Sequence, residues 1–186
     1  IADEIAVGFG RTGTMFACQQ AGVQPDLMCL SKGLTGGVLP MGATLASGEI
    51  YDAFYAKDRT KTFFHSTSYT GNAIACAAAL ANLDIFARED VTARIARIAQ
   101  GHKSRLERFR GKPEIAEARL CGTIAALELT AKDSGYLASL GPKLNAFYLD
   151  RNVLLRPLGN VVYAMPPYCA GEAELDRIYD VIDESL

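Results

Sequence analysis

The 186-residue sequence has little that suits a metal site, a nucleic-acid surface or a membrane span. Nineteen basic residues against 21 acidic ones give a formal net charge of −2, which lacks the positive excess that binds nucleic acid or anionic lipid. No apolar run approaches the roughly 20 residues that a membrane span needs. There are only two histidines, and no two cysteines form a CxxC pair, so zinc-site spacing is absent. The five cysteines are Cys18, Cys29, Cys76, Cys121 and Cys169.

Scattered cysteines, odd in number, are typical of free thiols in a reducing compartment, and we expect a cytoplasmic protein that holds no metal. The hydrophobic fraction of 49% and the charged fraction of 22% are those of an ordinary globular chain. The chain opens on Ile1 to Glu4 as if within a strand. This opening predicts that the sequence is the C-terminal part of something longer.

In the first half, strand-like segments alternate with helical ones, which indicates an α/β fold with a mainly parallel sheet. Asn72 is a predicted N-cap for an alanine-rich helix that runs to about Ala87, and its near-continuous apolar face predicts burial on most sides. From Asp90, apolar residues recur at helical spacing until Gly111-Lys112-Pro113, which predicts a long connecting helix.

The second half predicts a smaller α+β domain. Strands are expected at 114–121, 123–129, around 153–155 and at 161–164, with a helix over 136–150 and a closing helix from about Glu172. The predicted organisation is therefore the C-terminal part of a large domain at 1–88, a connecting helix at 89–111, and a small C-terminal α+β domain at 112–186.

A lysine stands at the end of a predicted buried strand. Residues 25–37 read PDLMCLSKGLTGG, in which a short apolar run ends at Leu30 and Lys32 follows. Asp3 closes another apolar strand, and ligands of parallel sheets gather outside the carboxyl ends of the strands. Lysine amines form Schiff bases with carbonyl compounds such as pyridoxal phosphate (PLP), and a PLP enzyme also needs an acid at the pyridine nitrogen. Lys32 and Asp3 are therefore a candidate pair for PLP.

Three motifs spread along the chain carry a family resemblance. Residues 1–13 read IADEIAVGFGRTG, Leu30 to Gly37 contain LSKGL and a double glycine, and residues 65–72 read HSTSYTGN. All three resemble motifs of the class III, fold type I, PLP-dependent aminotransferases, and the resemblance covers essentially the whole chain. It implies a PLP cofactor, a fold type I large domain followed by a smaller C-terminal domain, and a homodimer.

The resemblance also implies roles for individual residues. Lys32 matches the Schiff-base lysine, which also shuttles the proton, and Asp3 matches the acid at the pyridinium nitrogen. Ile5 would pack on the ring face. Thr67 and Ser68 match the hydroxyl positions that reach the cofactor phosphate of the neighbouring subunit, although Ser68 stands where the family has threonine.

Two stretches resemble the branch of this family that acts in biotin synthesis. Ala6 stands where many other members carry glutamine, and residues 154–168 read LLRPLGNVVYAMPPY, a segment similar to the branch's substrate-binding region. In it, Arg156 matches the arginine that meets the substrate carboxylate, and Tyr163 matches a pocket tyrosine. This resemblance implies amino transfer to 8-amino-7-oxononanoate, with S-adenosylmethionine as the expected donor, although some relatives use lysine. The alternative is another class III ω-amino acid aminotransferase, of the 4-aminobutyrate or ornithine type.

Departures from the family pattern bear on the shape of the substrate pocket and on how well these residues hold PLP. Ser66 replaces the glycine expected after His65 and adds bulk beside the substrate, and Val7 replaces a usual threonine. The family's other phosphate-binding loop and its ring-stacking aromatic would precede Ile1. These 186 residues by themselves are therefore expected to hold PLP poorly.

One alternative comes from another class of enzyme. Gly8 to Gly13 read GFGRTG and match the dinucleotide fingerprint GxGxxG, which would indicate an NAD-dependent oxidoreductase. That fingerprint needs a helix that opens inside the motif and an acid about 20 residues on. Met28 occupies the position 20 residues after Gly8, so the pattern is incomplete. A non-catalytic copy of the fold is also disfavoured, because Asp3, Lys32 and Arg156 are all present.

Overall fold

The computed structural model describes residues 1–131, 133 and 135–186. The chain divides into two compact units, Ile1–Thr92 and Ala93–Leu186, which we call unit 1 and unit 2. The three-part division expected from the sequence, with a connecting helix at 89–111, stays a prediction. Among the described residues, none of the helices combines the length and the apolar character required to cross a bilayer.

Unit 1 contains a three-stranded sheet in the order β1-β2-β3. Strands β1 and β2 are parallel, with Asp3 opposite Cys29, whereas β2 and β3 are antiparallel. The mainly parallel sheet expected from the sequence therefore holds for one of these two pairs. The connection from β2 to β3 contains a short 3-10 turn instead of the crossover helix that a parallel pair requires. The elements of unit 1 are β1 (Ala2–Asp3), β2 (Leu27–Leu30), β3 (Ala43–Ala46), α1 (Gly48–Phe54) and α2 (Ala73–Arg88), with 3-10 turns at Ala17–Gln19, Lys32–Thr35 and Arg59–Lys61.

The predicted cap of helix α2 is confirmed, but its predicted burial is wrong. The Asn72 side-chain oxygen accepts hydrogen bonds from the backbone N–H groups of Ile74 and Ala75, each at 3.0 Å. Only Ala75 and Ala79 are buried along this helix, and Ile74 is 72% exposed. Helix α2 therefore packs with one narrow face, mainly on the 3-10 turn Lys32–Thr35, and leaves apolar side chains on its other faces exposed. The apolar pattern could not show this, because it records which faces can be buried and not which neighbours are present.

The core of unit 1 joins β2, the 3-10 turn that follows it and helix α2. Its buried members are Phe9, Leu30, Leu34 and Ala79, and Phe9 contacts the rings of Phe16 and Phe86 edge-on. The partly buried residues around them are Met15, Phe16, Met28, Met41, Ala43 and Phe86. This core therefore lies directly beneath the backbone that carries Lys32.

Unit 2 contains an antiparallel sheet in the order β4-β5-β6, with helices packed on it. Residues 153–155, expected as a strand, form no strand ladder. Val153 and Leu155 nevertheless point into the core, because this extended segment buries alternate side chains. The helix expected from residue 136 begins at Leu140. The elements are α3 (Val91–Leu106, beginning two residues before the unit boundary), β4 (Ile115–Cys121), β5 (Ile124–Leu129), α4 (Leu140–Leu149), β6 (Val161–Ala164) and α5 (Glu172–Asp183), with a 3-10 turn at Glu107–Phe109.

Helices α3 and α5 are joined by ion pairs and by a buried polar contact. The Arg105 guanidinium, whose side chain is 11% exposed, donates to Glu172 at 2.9 Å and to Asp176 at 2.6 Å. Deeper between the helices, both ring nitrogens of the fully buried His102 are hydrogen-bonded, one to Tyr179 and one to the carbonyl of Thr123. Unit 2 therefore has a core of its own that holds α3, α5 and the β4–β5 hairpin together.

Candidate active site

The two residues singled out at strand ends leave the sheet at the same edge. Strands β1 and β2 run parallel, and Asp3 is the register partner of Cys29. Lys32 follows Cys29 by three residues, so the Cα atoms of Lys32 and Cys29 are within about 10 Å of each other. The structure thus confirms the parallel pairing that places an acid and a lysine beyond adjacent carboxyl ends. That edge is where ligands of such sheets bind.

Lys32 occupies an unusual backbone conformation. Its φ is 40°, in the left-handed region that non-glycine residues rarely adopt, and it is the first residue of the 3-10 turn Lys32–Thr35. Ser31, just before it, donates its hydroxyl to the carbonyl of Met41 at 2.6 Å. Strain of this kind persists only where the surroundings over-determine the backbone, and it is concentrated at functional sites.

Asp3 is exposed, and it also organises the chain that follows it. Its Oδ1 accepts a hydrogen bond from the backbone N–H of Ile5 at 3.0 Å. This bond fixes the direction in which the chain leaves β1. It therefore brings Ile5 to the wall of a neighbouring cavity.

The cavity has a volume of about 1010 Å³ and lies beside the ends of β2 and β3. Ile5, Ser66 and Thr67 line it, whereas Asp3, Lys32 and Ser68 are not among its lining residues. Apolar side chains of Leu39, Met41 and Ile74 form part of the wall, and the loop residues His65, Tyr69 and Thr70 form another part. The structure thus brings three of the six unit 1 residues predicted for the site onto one surface.

The loop around Thr67 forms a tight turn that presents hydroxyl groups. The Thr67 backbone N–H donates to Thr70 Oγ1 at 3.0 Å, and the two threonine hydroxyls lie 3.3 Å apart. Hydroxyl groups such as these are suitable donors to phosphate oxygens. The apolar wall and these hydroxyl groups suit a phosphorylated aromatic compound such as PLP, while Asp3 and Lys32 stand at the adjoining strand ends outside the lining.

The two residues predicted to bind substrate lie in unit 2. Arg156 is exposed and follows the buried Leu155, while Tyr163 is half-buried on β6, opposite Ala126 of β5. Their roles stay predictions.

Glu4 is a buried acid that the sequence analysis did not single out. It is 2% exposed, and its two carboxylate oxygens accept hydrogen bonds from the backbone N–H groups of Ala17 at 2.9 Å and Cys18 at 2.7 Å. Partial burial and the adjacent Glu4 carboxylate raise the pKa of the Cys18 thiol. Glu4 therefore ties the returning chain to the end of β1, next to Asp3. The available signal was a second acid, directly after Asp3 and followed by the apolar residues Ile5 to Val7.

Asn82 was also missed. Its side-chain amide reaches from helix α2 to the turn that begins at Lys32 and donates to the carbonyl of Gly33 at 2.8 Å. The signal in the sequence was one amide between apolar residues, Ala81 and Leu83, of a helix. No cluster of His, Cys, Asp or Glu suited to a metal ion occurs in the described part of the chain.

Comparison with known proteins identifies the family. The family described as aminotransferase class III matches residues 1–186. The chain belongs to the class III aminotransferases. Its sequence is 47% identical over 186 residues to the adenosylmethionine-8-amino-7-oxononanoate aminotransferase of Synechococcus elongatus, an alignment that covers 100% of this chain and 43% of the relative. It is 40% identical over 192 residues to the protein of the same name in Geobacter sulfurreducens, covering 42% of it.

Solved structures agree on the fold. The adenosylmethionine-8-amino-7-oxononanoate aminotransferase of Methanocaldococcus jannaschii superposes with a TM-score of 0.88 at 36% identity, over 97% of this chain and 44% of that one. An (S)-enantioselective omega-transaminase from Thermomicrobium roseum gives a TM-score of 0.90 at 34% identity, over 99% and 42%. The expected fold class, that of the fold type I transaminases, is therefore confirmed. The chain spans less than half the length of these relatives.

Proposed function

We propose that this chain forms part of a PLP-dependent aminotransferase that converts 8-amino-7-oxononanoate to 7,8-diaminononanoate with S-adenosylmethionine as the amino donor, in biotin synthesis. One observation carries the proposal. Curated relatives that are 37–47% identical over 98–100% of this chain bear the name adenosylmethionine-8-amino-7-oxononanoate aminotransferase. The matched region spans residues 1–186 of this chain in the Synechococcus elongatus relative, so it covers both the strand-end pair and the segment around Arg156.

The residues of unit 1 have distinct tasks in this proposal. When bound, PLP supplies an electron sink for the bond that breaks at the substrate carbon. Asp3 would keep a proton on the pyridine nitrogen, and Ile5 would pack against the ring. The Lys32 Nζ would hold the cofactor covalently between turnovers and move the proton at the substrate carbon. Thr67 and Ser68 would donate hydroxyl groups to the phosphate.

The residues of unit 2 supply substrate recognition. Arg156 is suited to the acceptor's carboxylate, because a guanidinium donates to both carboxylate oxygens at once. Tyr163 would also contact the substrate. Ser66 would add bulk in the unit 1 cavity that it lines. Because a donor must leave before the acceptor binds the same site, ping-pong kinetics are expected.

A homodimer with shared active sites is part of the proposal. Support comes from a patch of exposed aromatic side chains beside the loop that contains Thr67. Phe64 is 82% exposed and Tyr69 is 81% exposed, whereas isolated domains rarely present large continuous apolar surfaces to water. The patch consists of Tyr51, Phe54, Tyr55, Phe63, Phe64 and Tyr69. We propose that a second subunit covers it and receives Thr67 and Ser68 at its cofactor phosphate.

A second candidate is another class III ω-amino acid aminotransferase, because omega-transaminases superpose as well as the biotin-synthesis enzyme does. The NAD-dependent alternative has lost its support, since residues 8–13 form turns and the next element is only a three-residue 3-10 turn at Ala17–Gln19. We also propose a cytoplasmic location, consistent with five free cysteines.

The test uses the full-length protein loaded with PLP. S-adenosylmethionine, lysine and 4-aminobutyrate are added separately, and conversion of the cofactor to its amine form is followed by visible absorbance. Conversion by S-adenosylmethionine, followed by return of the original spectrum with 8-amino-7-oxononanoate, is expected. Conversion by 4-aminobutyrate without S-adenosylmethionine would favour the second candidate. A Lys32→Ala variant should fail to convert with any donor.

A further inference from the structure

Asn82 lies on helix α2, 49 residues after Gly33 in the turn that it contacts. Its Nδ2 donates to the carbonyl of Gly33 at 2.8 Å and to the carbonyl of Leu34 at 3.3 Å. These two residues directly follow Lys32 in the 3-10 turn Lys32–Thr35. The side chain is only partly exposed, so water competes weakly for these bonds.

The same turn also has hydrogen bonds of its own, which join residues close in the sequence. The Leu34 N–H donates to the Ser31 carbonyl at 2.9 Å, and the N–H groups of Gly36 and Gly37 donate to the carbonyls of Gly33 and Lys32, each at 3.2 Å. The Thr35 hydroxyl donates to the Leu39 carbonyl at 2.6 Å. At 40°, the φ of Lys32 lies in the left-handed region, which costs a non-glycine residue free energy. An external donor on the carbonyls just after Lys32 is therefore well placed to offset that cost.

A second side chain on the same face of helix α2, that of Phe86, contacts the turn indirectly, through Phe9. Phe86 stands four residues after Asn82, one helical turn on, and its ring contacts Phe9 with centroids 6.3 Å apart. Phe9 in turn lies against Gly33, where an added Cβ would come within 2.8 Å of the Phe9 ring. Asn82 therefore donates hydrogen bonds to two carbonyls of the turn, and Phe86 packs against the Phe9 ring, which itself packs on Gly33.

We propose that Asn82 is a positioning residue for Lys32. By holding the carbonyls of Gly33 and Leu34, it keeps the lysine backbone in its left-handed conformation, and so aims the amine before the cofactor arrives. This inference rests on the proposed function, because it concerns the attachment of PLP to Lys32.

The test compares attachment rates in the full-length, cofactor-free protein. PLP is added, samples are trapped with borohydride over time, and the modified Lys32 peptide is quantified by mass spectrometry. The variants are Asn82→Asp, whose carboxylate would face two carbonyl oxygens without a donor, and Asn82→Ala, which only removes the amide. The matched control is Asn145→Asp in unit 2, since Asn145 also lies on a helix and donates to one backbone carbonyl, that of Leu155, at 2.8 Å.

We expect both Asn82 variants to attach PLP more slowly and to hold it about tenfold more weakly, which is about 1.4 kcal/mol and the size of one or two ordinary hydrogen bonds. Asn145→Asp should lower the melting temperature to a similar extent, yet leave attachment at Lys32 unchanged. Wild-type attachment rates in both Asn82 variants would overturn the inference alone. Failure of the wild-type protein to attach PLP at Lys32 would overturn the proposed function together with the inference.

Discussion

The buried histidine of unit 2 predicts a specific sensitivity to acid. His102 is fully buried, and burial lowers its pKa from 6.5 to about 4, with the positive charge of Arg105 acting in the same direction. A carbonyl can only accept, so the ring must donate from Nε2 to the Thr123 oxygen at 3.2 Å. Nδ1 therefore accepts from the Tyr179 hydroxyl at 2.8 Å. Protonation of Nδ1 would remove that acceptor.

The sign and size of the effect follow from this lowered pKa. Between pH 6.5 and about 4 the unfolded chain binds a proton at His102 and the folded chain does not, so stability falls as the pH falls through this window. The contribution is fully present above pH 6.5, and no more is lost below about 4. Each pH unit is worth about 1.4 kcal/mol, so the total loss approaches about 3 kcal/mol.

The perturbation is His102→Gln, which keeps a donor toward Thr123 but cannot titrate. The assay is hydrogen exchange by mass spectrometry on peptides of α3 and α5, with variant and wild type compared at the same pH from about 7 to about 4.5. We expect the variant to be less stable near neutral pH and to lose less stability on acidification. Comparison at equal pH cancels the titration of carboxylates that both proteins share.

The chain provides a matched control, because it contains only one other histidine. His65 is exposed and stacks on Phe63, so His65→Gln should keep the wild-type pH dependence in unit 2. If His102→Gln and the wild type lose stability equally as the pH falls, the reasoning is refuted. Burial would then not lower the pKa of His102.

Two further predictions concern packing and assembly. Gly33→Ala would bring a Cβ within 2.8 Å of the buried Phe9 ring and should lower the free energy of unfolding by about 1–3 kcal/mol, measured with urea. Gly48→Ala, at the open first position of α1, should be neutral or stabilising, and equal losses in both variants would contradict the packing argument. Phe64→Ser should raise the dimer dissociation constant by about tenfold or more in sedimentation, since it removes a large apolar side chain from the proposed interface. Leu137 is 91% exposed and lies in unit 2, so Leu137→Ser should leave that constant unchanged. An unchanged constant for Phe64→Ser would count against the interface.

Local signals predicted many of the elements. The Asn72 cap, strands β2, β4, β5 and β6 and the closing helix from Glu172 lie where the pattern placed them, within one or two residues. Helix caps and apolar periodicity involve residues only a few positions apart, so they can be recognised in one sequence. The helix expected from residue 136 began late, and the segment 153–155 found no ladder partner, because a strand needs a neighbour that periodicity cannot identify.

The sequence by itself predicted the chemistry, from a lysine and an acid at expected strand ends and a hydroxyl-rich loop, and it carried the motifs that place the chain in its family. Tertiary structure alone decided which distant residues contact one another. Glu4 reaches Ala17 and Cys18, and Asn82 reaches Gly33, across separations of 13, 14 and 49 residues. Burial of His102 likewise depends on Tyr179, 77 residues away. Such partners meet only when the whole chain has folded, because contacts at long separation are set by the packing of complete elements and leave no local pattern.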